Sequence, residues 1–436
     1  MSDNFLTLDA NSVMRSMRTT EDVYRNHTPH HHTDSLPAQN IDPFSRLRVS
    51  TPGYRFDSQF TYQVDGDLWD VDVNGESGSS VDHDATERWA ALTATLGVAG
   101  NFAILQSHYH APYTPGRGQL AFITFLFGTA LTEGERKVGY WDGSDGIYLR
   151  ENSTGLSLVL ASSTTYGDQS VAQASWNIDP MDGTGPSGLT LDTTKVQILV
   201  VALQALYVGR VLVAFDIEGE LVPVHQFTHA NEIAYPYMAK AGLPVRYEVT
   251  ADDTAADVTM QAICASVISE GGNHLGDMAG RDFAAHGVAT NAANNTVMLV
   301  IQPKAQLNLI DQHALVLPTD YDVTVEGTGC WIEIRRNIEI ANSPTWTDVD
   351  AVLSVCEYAC VQTATAPTTT DGSGQLIAKF YVGASANNRS SKDGGLLGKA
   401  LACYSHLLAT ADNVAIIADG GSVSEVYVGL RWKEIR

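Results

Sequence analysis

The sequence predicts an all-β protein: two antiparallel, jelly-roll-like β-sandwich domains preceded by an extended N-terminal arm. Three observations carry that expectation. From about residue 54 onward, short apolar or alternating segments recur between clusters of Gly, Asp, Asn and Ser, the pattern of strands and turns. Helical periodicity is almost absent over the same span. Strands this numerous, without helices between them, pack as antiparallel sandwiches rather than as α/β layers.

Residues 1–50 read as an arm rather than a domain, because polar stretches, Pro29, Pro37, Pro43 and the cluster His27, His30, His31, His32 leave little to bury. A short amphipathic helix is expected over residues 12–24, with Val13, Met17 and Val23 spaced loosely for one face. The first sandwich is assigned to residues 51–272. Its strands read SQFTYQV, FAILQSHYHA, QLAFITFLFG, KVGYWD, GIYLRE and LSLVLASS, followed by the most apolar stretch of the chain, residues 196–215 (VQILVVALQALYVGRVLVAF). Its β-branched residues and the break at Gly209-Arg210 predict two buried strands of one hairpin. LVPVHQFTHAN, LPVRYEVT and VTMQAICASVISE complete the domain.

Glu270-Gly271-Gly272-Asn273 ends a strand and begins a polar, Gly-rich stretch, which places the boundary there and the second sandwich at residues 273–436. Its strands read TVMLVIQP, LNLIDQHALVLP, YDVTVEG, CWIEIRRNIEI, AVLSVCEYAC, GQLIAKFYVG and SVSEVYVGLRWKEI. The alternation in VSEVYVGLRW is that of a strand buried on one face.

Composition narrows the function. The 436 residues carry 50 acidic and 26 basic side chains, a formal charge of −24, so the surface repels nucleic acid and anionic lipid; neither is an expected partner. Charged residues make up only 17% of the chain, which suits a surface partly hidden by association. Cys264, Cys330, Cys356, Cys360 and Cys403 are odd in number and lack C-x-x-C spacing, and read as buried thiols rather than disulfides or a zinc site. The start MSDNFLTLDANS has no basic-then-apolar leader and no run approaches a membrane span, so folding in the cytosol is expected.

The chemistry-bearing patterns are few. His108-Tyr109-His110 would point both imidazoles to one face of a strand, so His108 and His110 are the candidate metal ligands, with His83, His225 or His229 as sources of a third. Against this stands the plainer reading of strand-end histidines satisfied by hydrogen bonds. The arm histidines lack an acidic or thiol partner at fixed spacing. The loop at residues 176–192 gathers Asp179, Asp182 and Asp192, but not at EF-hand spacing, and turn-making Asx hydrogen bonds are the simpler account. GTGPSG lacks the Lys-Ser/Thr of a phosphate loop, and no G-x-S-x-G or cysteine-protease context is present; neither a cofactor nor an enzyme is expected.

At Asp42-Pro43-Phe44-Ser45-Arg46-Leu47-Arg48-Val49-Ser50, followed by Phe56-Asp57-Ser58-Gln59, the sequence resembles a group of tailed-phage virion proteins that begin D-x-F-G-R-L-R-V-S and F-D-S. The likeness continues through Tyr113 to Gln119 (YTPGRGQ), Val138-Gly139-Tyr140-Trp141-Asp142, Gly146-Ile147-Tyr148, Trp176-Asn177-Ile178-Asp179 with Asp182-Gly183-Thr184-Gly185, His229-Ala230-Asn231, Leu243 to Glu248 (LPVRYE) and Ser269-Glu270-Gly271-Gly272, to Leu430-Arg431-Trp432-Lys433-Glu434. It thus covers nearly the whole chain after the arm, departing at Ser45, where the group commonly has Gly. What the resemblance implies is a structural virion protein with no catalytic residues to carry over; it does not fix the location. A place in the tail, neck or fibre apparatus is the expectation for an arm followed by two sandwiches. The protein would be a homo-oligomer, three-fold in the simplest case, docking on other virion proteins. Phe44, Arg46, Leu47, Arg48 and Val49 are the expected assembly residues: Leu47 and Val49 alternate inward while the arginines face an acidic neighbour. Two alternatives stand beside it: a capsid decoration protein, and a glycan-binding module using exposed aromatics near Trp141-Asp142-Gly143 and Trp176-Asn177.

Overall fold

The computed structural model describes residues 51–436 except 75–77, 96–99, 205, 241, 253–256, 272–277, 290–294, 371, 384–388, 392–400 and 420–423, together with the backbone of three short strands in the arm. Those three, Asn4–Leu8, Met14–Glu21 and His27–Pro29, pair as an antiparallel meander. The helix expected over 12–24 is therefore a strand: its apolar residues were too loosely spaced to bury one helical face. Phe44, Arg46, Leu47, Arg48 and Val49 lie outside the described residues.

Among the described residues the rest of the molecule is all-β and every strand pairing is antiparallel, as the strand-and-turn pattern predicts. Strands between residues 53 and 269 form two sheets. One runs in the order Gln169–Ala172, Gly155–Ala161, Gly146–Asn152, Glu135–Trp141, Val245–Thr250, Phe102–Ser107, Trp69–Val73. The other runs Glu220–Phe227, Val211–Ile217, Gln197–Leu203, Gln119–Leu126, Val258–Ser269, Trp89–Ala94, Ser80–Asp84, with Gly53–Gln59 also on Val258–Ser269. Trp69, Phe125, Tyr140, Phe215 and Tyr247 fill the space between them. The apolar stretch 196–215 is the expected hairpin, Gln197–Leu203 against Val211–Ile217, with Leu199 opposite Phe215.

Strands from residue 281 onward form a second pair of sheets. The smaller runs Arg281–Ala289, Ser424–Ile435, Leu315–Gly327, Arg389–Ser391; the larger runs Thr347–Asp348, Cys356–Cys360, Thr296–Pro303, Val414–Asp419, Cys330–Arg336, Gln375–Val382. In Ser424–Ile435 the alternation read from the sequence holds: Val426, Val428, Leu430 and Trp432 are buried while Tyr427 and Arg431 face out.

Bulges explain where simple parity fails. In Val258–Ser269 the register shifts between Ala262 and Cys264, so both ends of one strand bury the same face. The two segments read as LNLIDQHALVLP and YDVTVEG contribute to a single strand, Leu315–Gly327, with a bulge between Pro318 and Asp320, the kind of place in a strand where proline is tolerated. All five cysteines are free thiols, four of them buried. Among the described residues no helix is long and apolar enough to cross a membrane.

Candidate functional site at the seam between the sandwiches

Two of the histidines that the sequence singled out, His108 and His110, lie where the two sandwiches meet. The strand Phe102–Ser107 ends before His108, and the chain then bends, so His108 and His110 do not share one face of a strand. They belong to two separate clusters, each completed by residues of the second sandwich.

His108 is buried between two carboxylates. Its Nδ1 lies 2.6 Å from Asp70 Oδ1, in the neighbouring strand Trp69–Val73, and its Nε2 lies 2.9 Å from Asp412 Oδ2 in the second sandwich. Carboxylate oxygens only accept, so both ring nitrogens donate and the ring is an imidazolium. Burial works against that charge, but the hydrogen bonds to Asp412 and Asp70 outweigh it and hold the pKa far above the ordinary histidine value. For Asp412, burial likewise opposes ionisation, and the His108 hydrogen bond and charge, then Arg336, win and keep it well below the usual carboxylate range.

The network extends on both sides of the seam. Arg336 donates to Asp412 Oδ2 at 3.0 Å and approaches Asp67 Oδ1 at 3.6 Å. Ser405 Oγ donates to Asp70 Oδ2 at 2.5 Å, and the Cys403 amide donates to Asp412 Oδ2 at 3.1 Å. The Cys403 thiol is buried beside His108 and burial pushes its pKa up, so it is not a poised nucleophile. Tyr109, Leu315, Leu401, Cys403 and Ile435 supply an apolar patch next to these charges. With one N–H donated to each carboxylate, His108 has no lone pair to offer a metal or a substrate. What this arrangement can do is clamp the sandwiches together.

The second cluster is chemically different. His110 stacks on His313 with ring centres 4.0 Å apart, and His406 lies 4.7 Å beyond His313. His110 Nδ1 donates to the Gly242 carbonyl at 3.1 Å, and His406 Nε2 donates to the Gln312 carbonyl at 2.8 Å. Both nitrogens of His313 are buried without a hydrogen-bond partner. Burial lowers the pKa of His110 to about 4; burial, then the neighbouring His110 and Lys240, lower that of His313 to about 2. Asp142 completes the group. Its Oδ1 accepts from the Ser144 and Asp145 amides and its Oδ2 from Lys240 at 2.8 Å. Burial would raise its pKa, but the Lys240 charge and these hydrogen bonds hold it well below the usual range. The cluster borders a cavity of about 420 Å³ whose wall includes Tyr113, Tyr207, Lys240, Leu307 and Arg436.

The remaining candidates lie apart from the seam clusters. His83 is bound to the Phe60 carbonyl, His225 accepts from the Asn177 amide and His229 is bound to the Gly209 carbonyl. Asp179, Asp182 and Asp192 each close their own turn, accepting from the amides of Met181, Thr184 and Thr194 respectively, which is the Asx reading of that loop. Trp141 is only 2% exposed, packed on Tyr148 and covered by the Arg246 guanidinium, and Trp176 is only 5% exposed. Neither is a platform for a sugar ring, because side chains from other strands roof them. An aromatic pair that sequence reading did not single out is open: Trp331 and Tyr381 face each other across adjacent strands, 46% and 49% exposed, with Lys379 over the Trp331 ring. Its signal was present in CWIEIRR and LIAKFYV, where each ring occupies the outward parity.

No family model matches this chain, and no curated protein matches it in sequence. Among solved structures it is similar to the carbohydrate recognition domain of Emp47p, at 10% identity and TM-score 0.32 over 50% of this chain and 97% of that one. It is similar also to a legume lectin-like domain from Entamoeba histolytica, at 10% identity and TM-score 0.27 over 46% of this chain and 89% of that one. A third is the exoplasmic/lumenal domain of VIP36 in a Ca2+/Man-bound form, at 14% identity and TM-score 0.31 over 50% of this chain and 91% of that one.

Proposed function

We propose that this chain is a non-catalytic structural component of a tailed-phage particle, in which two β-sandwiches are clamped into one block and the N-terminal arm docks it on neighbouring subunits. The observation that carries the reading is the His108 clamp: a buried imidazolium at the seam spends both nitrogens on holding Asp70 and Asp412. Chemistry there is mechanical. The motif at residues 42–50 and its continuation along the chain supply the link to a particle. Quantitative mass spectrometry of purified particles tests it. The expected result is a copy number that is a small multiple of a cyclic symmetry, placing the chain at the tail, neck or fibre axis. Hundreds of copies would make it a capsid decoration protein instead, and absence from particles would overturn the reading. Removal of residues 1–50 should leave a folded chain that no longer incorporates.

A second reading, glycan recognition, is favoured by one specific observation, the exposed Trp331–Tyr381 pair beside the Glu333–Lys379 ion pair. Exposed aromatic faces flanked by hydrogen-bonding groups are what a sugar ring stacks on. A glycan array probed with the wild type and with Trp331→Ala decides it: binding that Trp331→Ala removes would support recognition, and no binding by the wild type would dismiss it.

A further inference from the structure

We propose that His110, His313 and Asp142 form a divalent transition-metal site, of the zinc class, that bridges the two sandwiches at the seam. Two imidazoles and one carboxylate are a donor set that zinc accepts, and their ligand atoms all lie within 4.8 Å of one another. His110 and Asp142 come from the first sandwich and His313 from the second, so an ion here would tie together the same two bodies that the His108 clamp joins.

Two features distinguish this group from a chance cluster. His110 donates its Nδ1 proton to the Gly242 carbonyl, which fixes the tautomer and leaves the lone pair on Nε2. That backbone carbonyl is the outer partner metal-bound histidines ordinarily have. His406 repeats the pattern on Gln312 and stands next in line as a further imidazole. His313 is the second feature: its ring is half-buried, yet both nitrogens are shielded from solvent without a partner, which is rare in a folded protein and calls for an acceptor of its lone pair.

The rings are stacked at 14°, so their lone pairs do not yet converge. Zinc bonds of about 2.0–2.1 Å in a tetrahedron place ligand atoms about 3.3 Å apart. His313 has no hydrogen bond to lose in turning to meet that requirement. Lys240 is the competitor. Its ammonium holds Asp142 Oδ2 at 2.8 Å, and an incoming dication would displace it toward the cavity that the cluster borders.

The test uses the full chain, expressed without a metal-affinity tag, with His27, His30, His31 and His32 all replaced by Gln so that the arm cannot bind metal. It is equilibrated with Zn2+, dialysed and analysed for zinc, and titrated with Co2+ by visible absorption. Stoichiometric zinc and a tetrahedral Co2+ spectrum are expected. His313→Gln should weaken binding by more than the roughly 10–100-fold that loss of a mere outer partner costs. Asp142→Asn, which keeps an acceptor for the Ser144 and Asp145 amides, should weaken it too and guards against a misfolded His313 variant. Lys240→Met should tighten binding several-fold. Absence of stoichiometric zinc in both the His313-containing parent and Lys240→Met would overturn the site. So would unchanged zinc in folded His313→Gln.

Discussion

His108 and Asp412, separated by 304 positions in the chain, meet at 2.9 Å across the seam between the two sandwiches. A buried ion pair of this kind adds little net stability over an apolar contact of the same shape, because desolvation offsets most of the attraction. Breaking it is another matter. His108→Gln leaves Asp70 and Asp412 facing each other with one cation fewer, and the expected cost is about 3–5 kcal/mol in urea unfolding. A double-mutant cycle with Asp412→Asn should show coupling of about 1–3 kcal/mol; additive effects would mean the two residues do not act through each other.

The same pair sets a pH window. His108 keeps its proton in the folded protein far above the 6.5 of the free side chain. Its contribution is therefore complete below pH 6.5 and is lost as pH rises, since the unfolded chain releases a proton that the folded chain retains. Each pH unit above that point should remove up to about 1.4 kcal/mol. Asp412 has the opposite sign: with a folded pKa below its ordinary 3.8, its contribution is complete above that value and is lost as pH falls beneath it. Urea midpoints measured between about pH 5.5 and 8.5 should decline in the wild type and decline less in His108→Gln. Parallel slopes would remove His108 as the cause.

How much of this was legible beforehand depends on distance along the chain. The hairpin at residues 196–215 could be read because an apolar, β-branched stretch with one Gly break has few other solutions. The outward Tyr427 and inward Trp432 followed from strict alternation. His108 and His110 drew notice as a pair, but the rule that places i and i+2 on one face ends with the strand at Ser107. Asp412 and His313 could not be assigned to them, because a seam between two sandwiches leaves no local pattern. The burial of Trp141 was hidden for the same reason: its cover, Arg246, belongs to a strand much later in the sequence.

Gly139 gives the V-G-Y-W-D motif a physical reason. It sits opposite Tyr148 in the neighbouring strand, and a Cβ there would meet the Ile147 carbonyl and lie 2.6 Å from Tyr148 Cβ. Gly139→Ala should cost about 1–3 kcal/mol by overpacking. It should also disturb the contact of Trp141 with Tyr148, so Trp fluorescence will report it. A neutral effect on both readouts would show that the strands part freely.

Glu434 continues the inward parity of Ser424–Ile435 and so brings a carboxylate to a position where an apolar residue would be expected; it is fully buried. The surroundings satisfy it. Ser354 Oγ donates to Oε1 at 2.6 Å, while the Val355 amide at 3.0 Å and Arg436 at 2.6 Å donate to Oε2. The carboxylate thereby fixes the turn that leads into Cys356–Cys360, at the wall of the seam cavity that includes Val355 and Arg436. Glu434→Ala would strand the Ser354 hydroxyl and the Val355 amide in a buried space, at about 1–3 kcal/mol for each unsatisfied group. Glu434→Gln keeps the shape and one acceptor, and should cost less. Denaturant unfolding of the two variants measures the difference. If Ala and Gln were equally mild, neither the acceptors nor the side-chain packing would be needed, and the turn would be held by the pairing of strand Cys356–Cys360 with Thr296–Pro303.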